Sequence, residues 1–145
     1  ALSVLLPCRP VHASRRISLA GAAVDMHLTS CSAQDGTYAV SRVTLPATSD
    51  VEVAMAHWRR ATLAHLAATN LVGLPTVRSS ALTLATHLVR LQGTGLSPAG
   101  GVLQIEAWWF VRGNQAFQVA VYAQDVAPRD MAALSEPFFE SLKLQ

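Results

Sequence analysis

The sequence predicts an α+β domain with a mainly antiparallel sheet. Three observations carry that prediction. Gly101 to Gln124 reads as two apolar runs around Arg112-Gly113-Asn114, the signature of a β-hairpin. Ser49 to Ala68 repeats apolar residues at helical spacing. Strand-like stretches lie on both sides of that helix, and a short helical pattern closes the chain, an order that argues for α+β.

Leu2 to Leu6 is a short apolar run stopped by Pro7, and is expected to be a first strand. Arg15 to Leu19 alternates, and Ala20-Gly21-Ala22 offers a turn. Val24, Met26 and Leu28 alternate with Asp25, His27 and Thr29, which describes a half-buried strand ending at Cys31. Gln34-Asp35-Gly36 carries an Asp-Gly hairpin signal, so Tyr38 to Leu45 is the return strand, stopped by Pro46.

The helix opens at Thr48-Ser49-Asp50. Ser49 with Glu52 three residues later matches a capping box, and Asp50 and Glu52 suit the positive end of the helix dipole. Val51, Met55, Trp58, Thr62 and Leu66 form one face. The expected helix runs from about Ser49 to about Ala68, buries Met55, Trp58 and Leu66, and is capped near Asn70. Leu71 to Ser80 reads as extended, Leu82 to Gln92 as a strand or a strand pair, and Gly93 to Gly101 as a loop by composition.

In the hairpin, a three-residue loop over 112–114 pairs Val111 with Gln115 and Trp109 with Phe117. One face then holds Ile105, Ala107, Trp109, Phe117, Val119 and Val121, and is expected to be core. The other holds Glu106, Trp108, Phe110, Gln118, Ala120 and Tyr122, and calls for partial cover by another element. After the hairpin, Pro128 starts a short helix. Pro137 is awkward inside it, so a new turn capped by Ser135 is expected there.

Composition bounds the class. The 145 residues, 51% hydrophobic and 14% charged, fit one domain, residues 1–145, with a substantial core rather than a disordered chain. The formal net charge is +2, and the basic residues form no stripe, which argues against nucleic-acid binding. No apolar run approaches the ~18 residues of a membrane span. The chain opens on Ala1 without an initiator Met, which is read as a trimmed or processed start.

Two cysteines, Cys8 and Cys31, make an even pair in a small domain and point to a disulfide; two buried thiols are the alternative. Both lie at expected strand ends, where a bridge can close. A disulfide argues for a periplasmic or secreted home.

The landmarks resemble the PsbP-like and DcrB-like superfamily of small exported bacterial proteins. They are Leu-Pro-Cys-Arg-Pro near the start, Tyr38-Ala39-Val40 after a hairpin, Leu45-Pro46 before the long helix, Trp109 to Asn114 with Phe117-Gln118-Val119, and the closing Phe138-Phe139-Glu140-Ser141-Leu142. The resemblance implies an α/β/α sandwich with a central mainly antiparallel sheet, one long helix and a short C-terminal helix. It also implies a binding or assembly role without catalysis, since most members of that superfamily are of that kind.

Catalytic and metal motifs are not found. His57 and His65 share the helix at a spacing of eight, not the i, i+4 pair of a zinc helix. No G-x-S-x-G elbow, Rossmann or Walker pattern occurs, so no catalytic residue, metal or cofactor is expected. Trp108, Phe110 and Tyr122 are the candidate partner-binding residues, unless the C-terminal helix buries them. The expected function is a non-enzymatic exported domain that binds or scaffolds a protein partner. The alternative is a carrier of a small hydrophobic ligand.

Overall fold

The computed structural model describes residues 2–33, 36–75, 82 and 84–144. Among them the order is β1 (Leu2–Ser3), β2 (Val11–Leu19), β3 (Ala22–Ser32), β4 (Thr37–Thr44), α1 (Val51–His65), β5 (Thr69–Gly73), β6 (Thr86–Leu96), β7 (Val102–Arg112), β8 (Gln115–Gln124), α2 (Met131–Glu140) and β9 (Lys143–Leu144). A 3-10 turn at Pro128–Asp130 leads into α2. The Gln34-Asp35 hairpin signal, and the part of the expected extended stretch from Thr76 to Ser80, lie outside the described residues.

Seven strands form one antiparallel sheet in the order β2-β3-β4-β8-β7-β6-β5. β1 and β9 make a separate two-stranded pair that ties the two ends of the chain together. The hairpin β7–β8 sits in the middle of the large sheet and is buried on both faces.

The expected α/β/α sandwich around one long helix is not what forms. Strands take 51% of the described residues and helices 22%. α1 has 15 residues and α2 has ten. A 15-residue helix is about 22 Å long and about 10 Å across. Seven strands at about 4.8 Å spacing make a sheet roughly 29 Å wide, which no such helix can cover. The sheet, rather than a long helix, organises the chain.

Two features shorten the helix and widen the sheet. α1 starts one residue later than the capping box suggests: Asp50, not Ser49, caps it, its carboxylate accepting from the Val53 N–H at 3.2 Å. It stops at Leu66 because Ala67 turns left-handed, with φ 48°. The Ala68 N–H then reaches the Leu63 carbonyl and the Ala67 N–H reaches the Ala64 carbonyl, a Schellman closure. Asn70, the expected cap, lies inside β5. On the sheet side, β6 runs on through the glycines that read as loop. A Cβ on Gly95 would lie 2.6 Å from Ile105 Cδ1 and 2.7 Å from the Leu66 carbonyl oxygen. Glycine is there so that the strand can pass under the end of α1, where Leu96 N–H bonds the Leu66 carbonyl at 2.8 Å.

The hairpin register also differs from the expectation. Gly113 and Asn114 alone form the loop, and Arg112 pairs with Gln115. Gly113 takes φ 61°, as the first position of a type II′ turn requires. Phe110 therefore faces Phe117, and Trp109 faces Gln118. One buried apolar face opposite one exposed polar face normally pins register. Here both faces are apolar, so either register buries hydrophobic residues and the pattern could not choose.

The cores lie on opposite faces. α1 packs Ala54, Met55 and Trp58 over Ile105, Ala107, Trp109 and Val111. α2 packs Met131, Phe138 and Phe139 over Trp108, Phe110, Phe117, Val119 and Val121. Pro137 does not split α2. It lies on the exposed side of the helix, as does Ala133, whose carbonyl it cannot reach, so the lost bond faces solvent.

Candidate functional site

On the α2 face, large side chains meet large side chains. Trp108 stacks on Phe139 with ring centroids 4.4 Å apart, and Phe110 stacks on Phe117 at 5.3 Å. Phe110 and Phe117 are almost wholly excluded from solvent. One charged group is sealed beneath this layer. Glu106, 5% exposed, accepts from Trp108 Nε1 at 2.8 Å, Ser135 Oγ at 3.0 Å and Gln92 Nε2 at 3.0 Å. Three donors meet the demand that a buried carboxylate makes. Ser135 is thus a tie from α2 to the sheet, not the cap of a new turn. Arg90 lies over the Trp108 ring at 4.2 Å, and its Nη1 donates to the Pro75 carbonyl. Burial lowers the Arg90 guanidinium from its usual range, and the Glu106 charge opposes that shift.

Cys8 and Cys31 form a disulfide with Cα atoms 5.7 Å apart. It fastens the segment after β1 to the end of β3, at the margin of the α2 core. A hollow of about 430 Å³ remains beside it, between Leu2–Leu6 and the β3–β4 surface. Its histidine, His27, is already bonded to Ser14 Oγ at 2.9 Å.

The α1 face is built differently. Over β3, β4 and β8 the residues pointing toward α1 include Ser30, Ala39, Ser41 and Ala120, all small. These side chains are too short to fill the space beneath α1. A groove of about 560 Å³ remains between α1 and the sheet. That lies within the roughly 300–1,000 Å³ range of small-molecule pockets. Leu28 and Ala39 give its floor apolar patches, and His57, Ala61 and His65 line its helical wall.

Polar groups converge on it. Gln118, 9% exposed, accepts at Oε1 from Trp109 Nε1 at 2.7 Å and from Thr62 Oγ1 at 2.7 Å. The indole N–H can only donate, which fixes the amide orientation and leaves Gln118 Nε2 as a donor without a protein partner among the described residues. His57 Nδ1 accepts from the Ala20 N–H at 2.7 Å. Tyr122 lies half-buried in the floor, and burial pushes its phenol up to about 12. Its hydroxyl has no protein partner among the described residues.

The candidate residues read from sequence are therefore separated. Trp108 and Phe110 lie under α2, as the alternative reading had it, and offer no exposed anchor. Tyr122 faces the opposite side of the sheet and lines the groove. Gln118 and the His57–His65 wall were not read as a site. The available signal was the spacing of four through His57, Ala61 and His65, together with the small residues at alternate positions of Ser30, Ala39 and Ser41. Among the described residues no group of three or more His, Cys, Asp or Glu could hold a metal ion. No described helix is long and apolar enough to cross a membrane. Compared with known proteins, the chain matches no family model, no curated protein and no solved structure.

Proposed function

We propose that this chain is a non-enzymatic domain of an extracytoplasmic compartment that binds a small, partly apolar ligand in the groove beneath α1. The observation that carries the reading is the groove itself: about 560 Å³ left open beside a tightly packed sheet, with apolar patches in its floor and converging donors. The burial of Trp108 and Phe110 favours this over a protein partner anchored on the hairpin. The Cys8–Cys31 disulfide supports the compartment, because cytosolic thiols are held reduced.

Native mass spectrometry of protein purified gently from cells tests the proposal. The expected spectrum shows a discrete added mass that organic extraction removes. A bare chain mass, together with failure to bind any member of an amphiphile library, would remove the proposal.

A second reading retains the scaffold role. β2 is an edge strand of nine residues, mostly exposed, and its outer side has no neighbour in the sheet. Such an edge can take a partner strand by β-addition. Recovery of one stoichiometric protein partner, lost when Ser14 or Arg16 is replaced by Pro, would favour it.

A further inference from the structure

We infer that the groove selects a small amphipathic carboxylate, an apolar chain or ring carrying one anionic head. The inference rests on the ligand-binding reading above and adds the chemistry of the ligand.

The charge complement of the lining points one way. Arg15, His57, His65 and Tyr122 are its ionisable residues, and no Asp or Glu lines it. Arg15 makes no ion pair among the described residues, whereas its neighbour Arg16, on the opposite face of β2, is bonded to Asp25 at 3.3 Å. Arg15 therefore brings an unneutralised guanidinium to the rim. Its planar fork suits a carboxylate bound through two oxygens.

Of the remaining polar groups, the hydroxyls of Ser18, Ser30, Thr37 and Ser41 can donate or accept, while His57 and Gln118 are donors for definite reasons. His57 Nδ1 is occupied as an acceptor by the Ala20 N–H, so the neutral ring carries its hydrogen on Nε2. Gln118 Oε1 is occupied by two donors, so the amide presents only its N–H₂. The Tyr122 phenol stays protonated through the physiological range and adds no negative charge. A cationic ligand would meet Arg15 and no anion. A carboxylate would meet a guanidinium at the rim and N–H or O–H donors further in. Leu28 and Ala39 then offer the apolar body a dry surface.

Calorimetric titration with three probes of one chain length tests this: decanoate, decanol and decyltrimethylammonium. Decanoate is expected to bind, decanol about tenfold more weakly, and the cation not at all. Arg15→Gln should weaken decanoate about tenfold and leave decanol unchanged. Ala39→Phe, which fills the floor, should abolish binding of both. Ala61→Trp, on the exposed helical wall, blocks the groove from the other side and serves if Ala39→Phe does not fold. Equal binding of decanoate and decanol, with Arg15→Gln without effect, would overturn the choice of an anion and leave the groove reading standing. Binding by none of the probes, or binding untouched by both blocking variants, would overturn the groove reading itself.

Discussion

The two faces of one sheet have reached opposite ends. Over β7 and β8 the α2 face is closed by aromatic side chains from both sides, with Phe110 at 0% and Phe117 at 1% exposure. Over β3 and β4 the α1 face is floored by Ser30, Ala39 and Ser41 and stays open. Helix length does not explain the difference, because the longer helix covers the open face. Side-chain size at alternate positions does. A cavity follows where neither layer supplies volume, because interiors otherwise pack at crystal density.

Mutations at matched positions should give opposite results. Phe110→Ala on the closed face should cost about 3–5 kcal/mol, since the aromatic layer cannot collapse around the void. Ala39→Leu on the open face adds volume where there is room, and should change stability by less than about 1 kcal/mol. Urea denaturation of both variants checks the pair. Similar losses at both positions would break the contrast.

The disulfide sharpens it further. Cys8→Ser with Cys31→Ser opens a loop of sequence separation 23 and should lower stability by about 3 kcal/mol. Because the bond stands beside the α2 core, decanoate binding on the α1 face should survive the loss at temperatures where the variant is folded. Protein purified without reductant should show no free thiol after denaturation, and two free thiols would contradict the bond.

Tyr122 gives the open face a pH signature. The fold favours the neutral phenol, so the unfolded chain loses its proton first, near its ordinary value of about 10. Stability should be full below that pH and fall by about 2 kcal/mol as pH rises toward 12. Tyr122→Phe should remove that fall, which denaturation at a series of alkaline pH values would show.

The smallest effect concerns the end of the groove wall. Ala67 holds φ 48° where glycine is at ease. Ala67→Gly should raise stability by about 0.5–1 kcal/mol, read as a higher melting temperature, without moving the end of α1.

Much of this was legible in the residues. The helix face of Met55 and Trp58, the central hairpin and the Cys8–Cys31 pair follow from spacing and composition. The hairpin register did not, because two apolar faces accept either alignment. The strand through Gly93 and Gly95 read as loop, because the close approaches that require glycine, of Thr69 and Leu71 at Gly93 and of Leu66 at Gly95, are tertiary facts. The early stop at Ala67 was hidden for a related reason: alanine is a strong helix former, and here packing overrides its propensity. The groove was hidden because it is made by what is small, and Ser30, Ala39 and Ser41 carry no motif. Only the register that sets them side by side gives them meaning.

Backbone amide NMR during a decanoate titration tests the central claim most directly. The account predicts shifts confined to the α1 face, at Leu28, Ala39, Gln118 and the His57–His65 wall, with the Trp108 indole N–H unmoved under α2. Shifts centred on Trp108 and Phe139, or no shifts on either face, would contradict it.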